Sequence, residues 1–207
     1  MRHPIVLALC LLLPGCVATT KVASYTDPGY VTANKFHHVI VMCGVATLAE
    51  RQQAESIAVA ELAKIGVRGT RAIDILPPTR NLSSEEVAEA TSKVGADSVL
   101  IMRLGDRDVA HTYVPPTYHP GKTTSTVNFY GSQAYVTTYQ SPGYTTGGYN
   151  IKKPRATYSA ELYELKSGAM VWRGEGSSRG NAFASFEDLT LSAAREFVKT
   201  LRADGRI

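Results

Sequence analysis

The chain has 207 residues, of which 44% are hydrophobic and 19% charged, and a formal net charge of +4. That length buries a full core without disulfide or metal staples and suits one domain with extensions. The charge is too small for a nucleic-acid footprint, so no nucleic-acid partner is expected.

The chain opens like an export signal. Arg2 supplies a positive start, Ile5 to Leu13 is an apolar run, and Leu13-Pro14-Gly15-Cys16 closes it. The run falls short of the roughly 20 residues a membrane-spanning helix needs, so it is a targeting segment. A small residue directly before a cysteine resembles the lipobox of bacterial lipoproteins. The resemblance implies cleavage after Gly15, a diacylglyceryl group on the Cys16 thiol and acylation of the new amino group. Cys16 would then anchor the chain in a lipid bilayer. Residue 17 is Val rather than Asp. By that family's sorting pattern this implies the outer membrane, with the protein facing the periplasm.

Loss of residues 1–15 leaves 192 residues and only Cys43 as a free thiol, so no intrachain disulfide forms. Cys43 lies in an apolar run and reads as a small buried hydrophobe. Residues 16–35 read as an acylated polar leader with a turn at Pro28-Gly29, followed by a single α/β domain over 36–207.

The first half of that domain alternates strand and helix. His37 to Val45 is rich in β-branched residues and predicts a strand buried on both faces. Thr47 and Glu50 form a capping-box pattern. Ala54, Ala58 and Leu62 then recur at helical spacing until Gly66. Val67 to Leu76 predicts a second strand, stopped by Pro77-Pro78. Ser83 and Glu86 open another helix that ends at Gly95, and Ala96 to Leu104 predicts a third strand. The order βαβαβ implies parallel strands with right-handed crossovers.

The insert at about 112–155 is different. From Val109 to Ala160 there is no Asp or Glu, and eight of the chain's 11 tyrosines fall there. Its cations are Lys122, Lys152, Lys153 and Arg155. Thr123 to Tyr130 and Gln133 to Gln140 alternate around Gly131-Ser132, which predicts a hairpin; Ser141 to Asn150 predicts a loop. Tyrosine offers a large amphipathic contact area at low entropic cost. Tyr130, Tyr135, Tyr139, Tyr144 and Tyr149, with Lys152, Lys153 and Arg155, are therefore the candidate binding residues.

A second hairpin follows, Ala156 to Leu165 and Ala169 to Gly176 around Ser167-Gly168, with Met170 and Trp172 expected on one face. The last predicted helix runs from Phe186 to Ala203, capped by Ser185 and Asp188. Its core stripe is Leu189, Ala193, Phe197 and Leu201.

This architecture is similar to that of the curli-secretion CsgG-like and penicillin-binding-protein-activator lipoproteins, whose α/β domain is like the N-terminal domain of TolB. The residues that carry it are Val39 to Met42, Ala60 to Gly66, Gly95 to Ile101, and Leu162 to Gly168 with Val171-Trp172. The resemblance spans about residues 37–205 without the insert and implies a non-enzymatic role in the cell envelope.

Chemistry is sparse. Gly174-x-Gly176 with Gly180 misses the dinucleotide fingerprint, and no P-loop or nucleophile elbow is present, so no cofactor is expected. Asp106, Asp108, His111 and His119 form the one loose constellation a metal or a hydrolytic reaction would use, without an established ligand spacing. The expectation is a binding or assembly lipoprotein that is not an enzyme. Its partner is an envelope protein, peptidoglycan or further copies of itself. The alternatives are a cell-wall or lipid-acting enzyme using those four residues, and a self-assembling structural or secretion component whose insert pairs edge to edge.

Overall fold

The structure, a computed structural model, describes residues 17–30 and 35–207. The signal segment and Cys16 lie outside the described residues, as does the side chain of Tyr130. The chain divides into two compact units: one up to Val109 and again from Lys153 to Ile207, the other Ala110–Lys152.

The first unit is built on a mixed sheet of six strands. They are β1 (Ala18–Thr26), β2 (His38–Gly44), β3 (Arg68–Arg71), β4 (Ser98–Val114), β9 (Tyr149–Glu164) and β10 (Met170–Gly180). Their order is β1-β10-β9-β4-β2-β3. β1, β10 and β9 pair antiparallel; β3 and β4 flank β2 in parallel. Helix α1 (Leu48–Lys64) connects β2 to β3; α2 (Ala72–Ile75) and α3 (Ser84–Val94) connect β3 to β4; α4 (Phe186–Ala203) closes the chain. The mixed α/β class, the hairpin and the C-terminal helix match the sequence expectation.

The core lies between the sheet and the α1/α4 layer. Alternate strand residues Val39, Val41, Leu100, Ala160 and Leu162 meet Ala58 and Leu62 of α1 and Leu189, Phe197 and Leu201 of α4. Trp172 packs edge-on to Phe197 with centroids 6.4 Å apart, and its indole N–H donates to Asp204 Oδ2 at 2.7 Å. Two of the three capping-box patterns read from sequence are closed: Ser83 with Glu86 and Ser185 with Asp188.

Four local expectations are corrected. Residues 18–26, read as part of a polar leader, form β1 and pair along their length with β10. The facing positions Ala18, Thr20 and Val22 are half-buried, and Thr20 Oγ1 bonds both Ser178 Oγ and Ser192 Oγ. The strand predicted over 67–76 stops at Arg71. There the chain turns into α2 because the Glu55 carboxylate accepts the Ile73 N–H and Arg71 forks onto Asp74 one helical turn on. Thr47 caps α1, but the Glu50 side chain turns away to Arg107, so only half of that capping box forms. Met170 does not share a face with Trp172. A bulge between them buries both Val171 and Trp172 and leaves Met170 exposed.

Cys43 is buried, and desolvation, with the neighbouring Glu55 carboxylate, holds its thiol far above the ordinary range. It is a packing residue rather than a nucleophile.

Candidate functional site

The candidate binding surface is the second unit, Ala110–Lys152. It consists of nested antiparallel ladders. β5 (Thr117–His119) pairs with β8 (Tyr144–Thr146), and inside it β6 (Thr123–Tyr130) pairs with β7 (Gln133–Gln140). The predicted hairpin is therefore present, with both strands at their expected bounds. The segment read as a loop over 141–150 instead supplies β8 and the start of β9. Proline lacks an N–H to donate to a ladder. Pro115, Pro116, Pro120 and Pro142 accordingly fall at the breaks between ladders. The tip is Gly131-Ser132, with Gly131 at φ 60° and no positive φ at Ser132, the pattern of a type II′ turn. At Gly147 φ is 92° and an added Cβ would lie 2.2 Å from the Pro115 carbonyl oxygen, so both backbone and space require glycine.

Register places side chains on two faces of β6–β7. Val127 lies opposite Val136 and Phe129 opposite Ala134 on one face; Asn128 lies opposite Tyr135 and Thr124 opposite Tyr139 on the other. Both faces are solvated. Phe129 is 75% exposed, Tyr139 69% and Tyr135 56%. Tyr113, Tyr118, Tyr144 and Tyr149 are exposed as well. The Tyr144 ring stacks on His119 with centroids 4.7 Å apart, and the Tyr135 hydroxyl donates to Gln133 Oε1 at 2.7 Å. His119 in turn bonds Thr146 Oγ1 through Nε2 at 2.9 Å.

Among the described residues, Lys122 and Lys152 form no ion pair in this unit. Lys153 and Arg155 belong to the first unit and also carry none. Arg155 stands directly opposite Arg179 on the neighbouring strand. Like charges facing each other across a ladder are unfavourable without an anion between them. Sequence reasoning missed Arg179, since the pairing is set by a register that only the fold reveals.

The other constellation does not assemble. Among the described residues no group of three His, Cys, Asp or Glu is placed to hold a metal ion. Asp106 and Asp108 are exposed on β4, and Asp106 contributes its backbone N–H to Thr157 Oγ1. His119 is committed to Tyr144 and Thr146.

No protein-family model matches the chain, and no curated protein matches it. Among solved structures it is similar to the PelC dodecamer from Paraburkholderia phytofirmans. The identity is 16%, over 88% of this chain and 97% of that one, with a TM-score of 0.49. It is also similar to the lipoprotein GNA1162 from Neisseria meningitidis, at 11% identity over 80% of this chain and 98% of that one, with a TM-score of 0.40.

Proposed function

We propose that this chain is a lipid-anchored protein of the bacterial outer membrane that binds a partner in the periplasm and catalyses no reaction. The observation that carries the binding role is the acid-free unit Ala110–Lys152 with its exposed tyrosines. Aromatic faces beside unpaired cations suit a glycan that bears acidic groups, and peptidoglycan is the partner we favour. The lipobox pattern ending in Cys16 supports the anchor. The sequence resemblance to the CsgG-like and TolB-like lipoprotein domains supports a non-enzymatic envelope role.

Two measurements test the proposal. In cells, the Cys16→Ser variant is expected to leave the membrane fraction and appear in the soluble periplasmic extract. A variant that stays membrane-bound removes the anchor. For binding, residues 17–207 are pelleted with purified peptidoglycan sacculi. Replacing Tyr135 and Tyr139 together by Ser is expected to weaken pelleting by about tenfold or more, a loss of ~1.4 kcal/mol that two exposed aromatic contacts supply. Both positions are solvated and outside the core, so the fold is unaffected. Equal pelleting of variant and parent removes the tyrosine face from the binding role.

A further inference from the structure

Phe183 is 90% exposed, more than any other exposed large hydrophobic among the described residues. It sits in the turn 181–184 between β10 and α4, and that turn is tied down along its length. The Asn181 N–H donates to the Val17 carbonyl at 3.0 Å, and Asn181 Oδ1 accepts the Phe183 N–H at 2.8 Å. The Ala184 N–H donates to the Asn181 carbonyl, and Ser185 then opens α4 with a closed capping box. Ala184 turns inward, where a Cβ on Gly180 would come within 2.4 Å of it. Phe183 turns outward. A turn is built by small and polar residues that satisfy its own backbone, and a solvated phenyl ring adds nothing to it. The ring is available to a partner outside the fold.

Its place in the fold identifies that partner. Three peptide links of ~3.8 Å and one strand spacing of ~4.8 Å separate Phe183 from Cys16, so the two lie within about 16 Å. Val17 and Ala182 are exposed beside the ring. So small an apolar patch falls far short of the roughly 1,000 Å² that a specific protein interface buries. It suffices beside a lipid anchor, where acyl chains hold the molecule and one aromatic ring orients it.

The charges at this end agree. Arg179 lies two residues before the turn, is exposed, forms no ion pair among the described residues and faces Arg155 across the ladder. An anion between the two guanidinium groups relieves their repulsion. Asp106 and Asp108 of β4 form no ion pair with Arg155, and the whole of β9 lies between them and Arg179. Glu187 and Asp188 lie in the first turn of α4, where the helix's own N–H groups offset them, and Asp188 is spent on the Ser185 cap.

We propose that Phe183 and Arg179 dock this end of the sheet onto an anionic bilayer surface, with the ring at the boundary of headgroups and acyl chains and the guanidinium, beside that of Arg155, on a phospholipid phosphate. The docking rests on the Cys16 anchor of the proposed function for its location. It adds an orientation that an acyl chain alone does not give.

The test uses residues 16–207 with the Cys16 thiol coupled to a maleimide phospholipid. Cys43 is buried with its thiol held protonated, so only Cys16 reacts. The coupling supplies the anchor chemically, so a failure of acylation in cells and a failure of docking are told apart. The single native tryptophan, Trp172, is buried and gives a constant background. Phe183→Trp, on vesicles of phosphatidylethanolamine and phosphatidylglycerol, is expected to shift its emission to shorter wavelength and to be quenched by acyl-brominated lipid. Tyr25→Trp, exposed eight residues along β1 and about 26 Å from Val17, is expected to do neither. Arg179→Ala, added to Phe183→Trp, is expected to lower the ratio of docked to free protein about fivefold, the worth of one cation at an anionic surface. It should change nothing on phosphatidylcholine alone. Quenching at position 183 no greater than at position 25 overturns the proposal, as does quenching on the anionic vesicles that ignores Arg179→Ala. An emission shift at position 183 that grows with protein concentration in the absence of lipid identifies a second copy as the partner and likewise overturns it.

Discussion

Glu55→Ala is expected to unfold this protein at a melting temperature about 6–12 °C below the parent's, corresponding to ~3 kcal/mol in a chain of this size. Glu55 is fully buried on α1 and its carboxylate ties three elements together. Oε1 accepts the Cys43 N–H at the end of β2 and Arg51 Nε one turn back; Oε2 accepts the Ile73 N–H in α2. Alanine leaves two backbone donors and a guanidinium without a partner, each at the cost of an unmade hydrogen bond. Glutamine is expected to rescue little. Its amide places an N–H₂ against one of the two donors the carboxylate accepts. The control is Glu89→Ala, which removes only an exposed pair to Lys93 and is expected to change stability by less than ~1 kcal/mol. Equal melting temperatures for the two alanine variants would show that Glu55 holds nothing together.

Arg107→Ala is expected to carry an effect at least as large, about 3–5 kcal/mol by thermal or urea unfolding. Arg107 on β4 pairs with Glu50, which is buried at the start of α1, and its guanidinium lies 5.1 Å from the Phe186 ring centroid. Glu50 also accepts the Thr190 hydroxyl, which bonds the Tyr158 hydroxyl at 2.9 Å. The network joins α1, β4, β9 and α4. Removing the cation leaves the Glu50 charge buried with only a hydroxyl beside it. Taking away both charges is gentler than taking away one. The double variant Arg107→Met with Glu50→Gln is therefore expected to be more stable than Arg107→Ala alone. A double variant less stable than the single one would disprove the coupling.

The signals that were legible in the sequence were those whose physics is local. The closed capping boxes at Ser83 and Ser185, the turn at Gly131-Ser132 and the α4 stripe all sit where their spacing places them. The elements that differed are set by distant partners. β1 has small and hydroxylated residues at its inward positions, so it shows no hydrophobic alternation, and β10 alone supplies its reason to be a strand. The 67–76 segment is bent by Glu55, 18 residues before Ile73 in another element. For the binding surface, composition marked the unit, since an acid-free stretch rich in tyrosine needs no structure to be seen. The pairing of Arg155 with Arg179 depends on tertiary register and leaves no trace in spacing along the chain.

On the proposed anchor at Cys16, the early start of β1 sets how far the protein could extend from a membrane. Val17 already accepts a backbone hydrogen bond from Asn181, and Ala18 is paired in the sheet. On the lipid-anchored reading, the acylated residue is then one peptide link, ~3.8 Å, from rigid structure. A flexible leader of twenty residues would have given a reach of roughly 25 Å. On that reading the tether is too short to carry the β1–β10 end away from the headgroups.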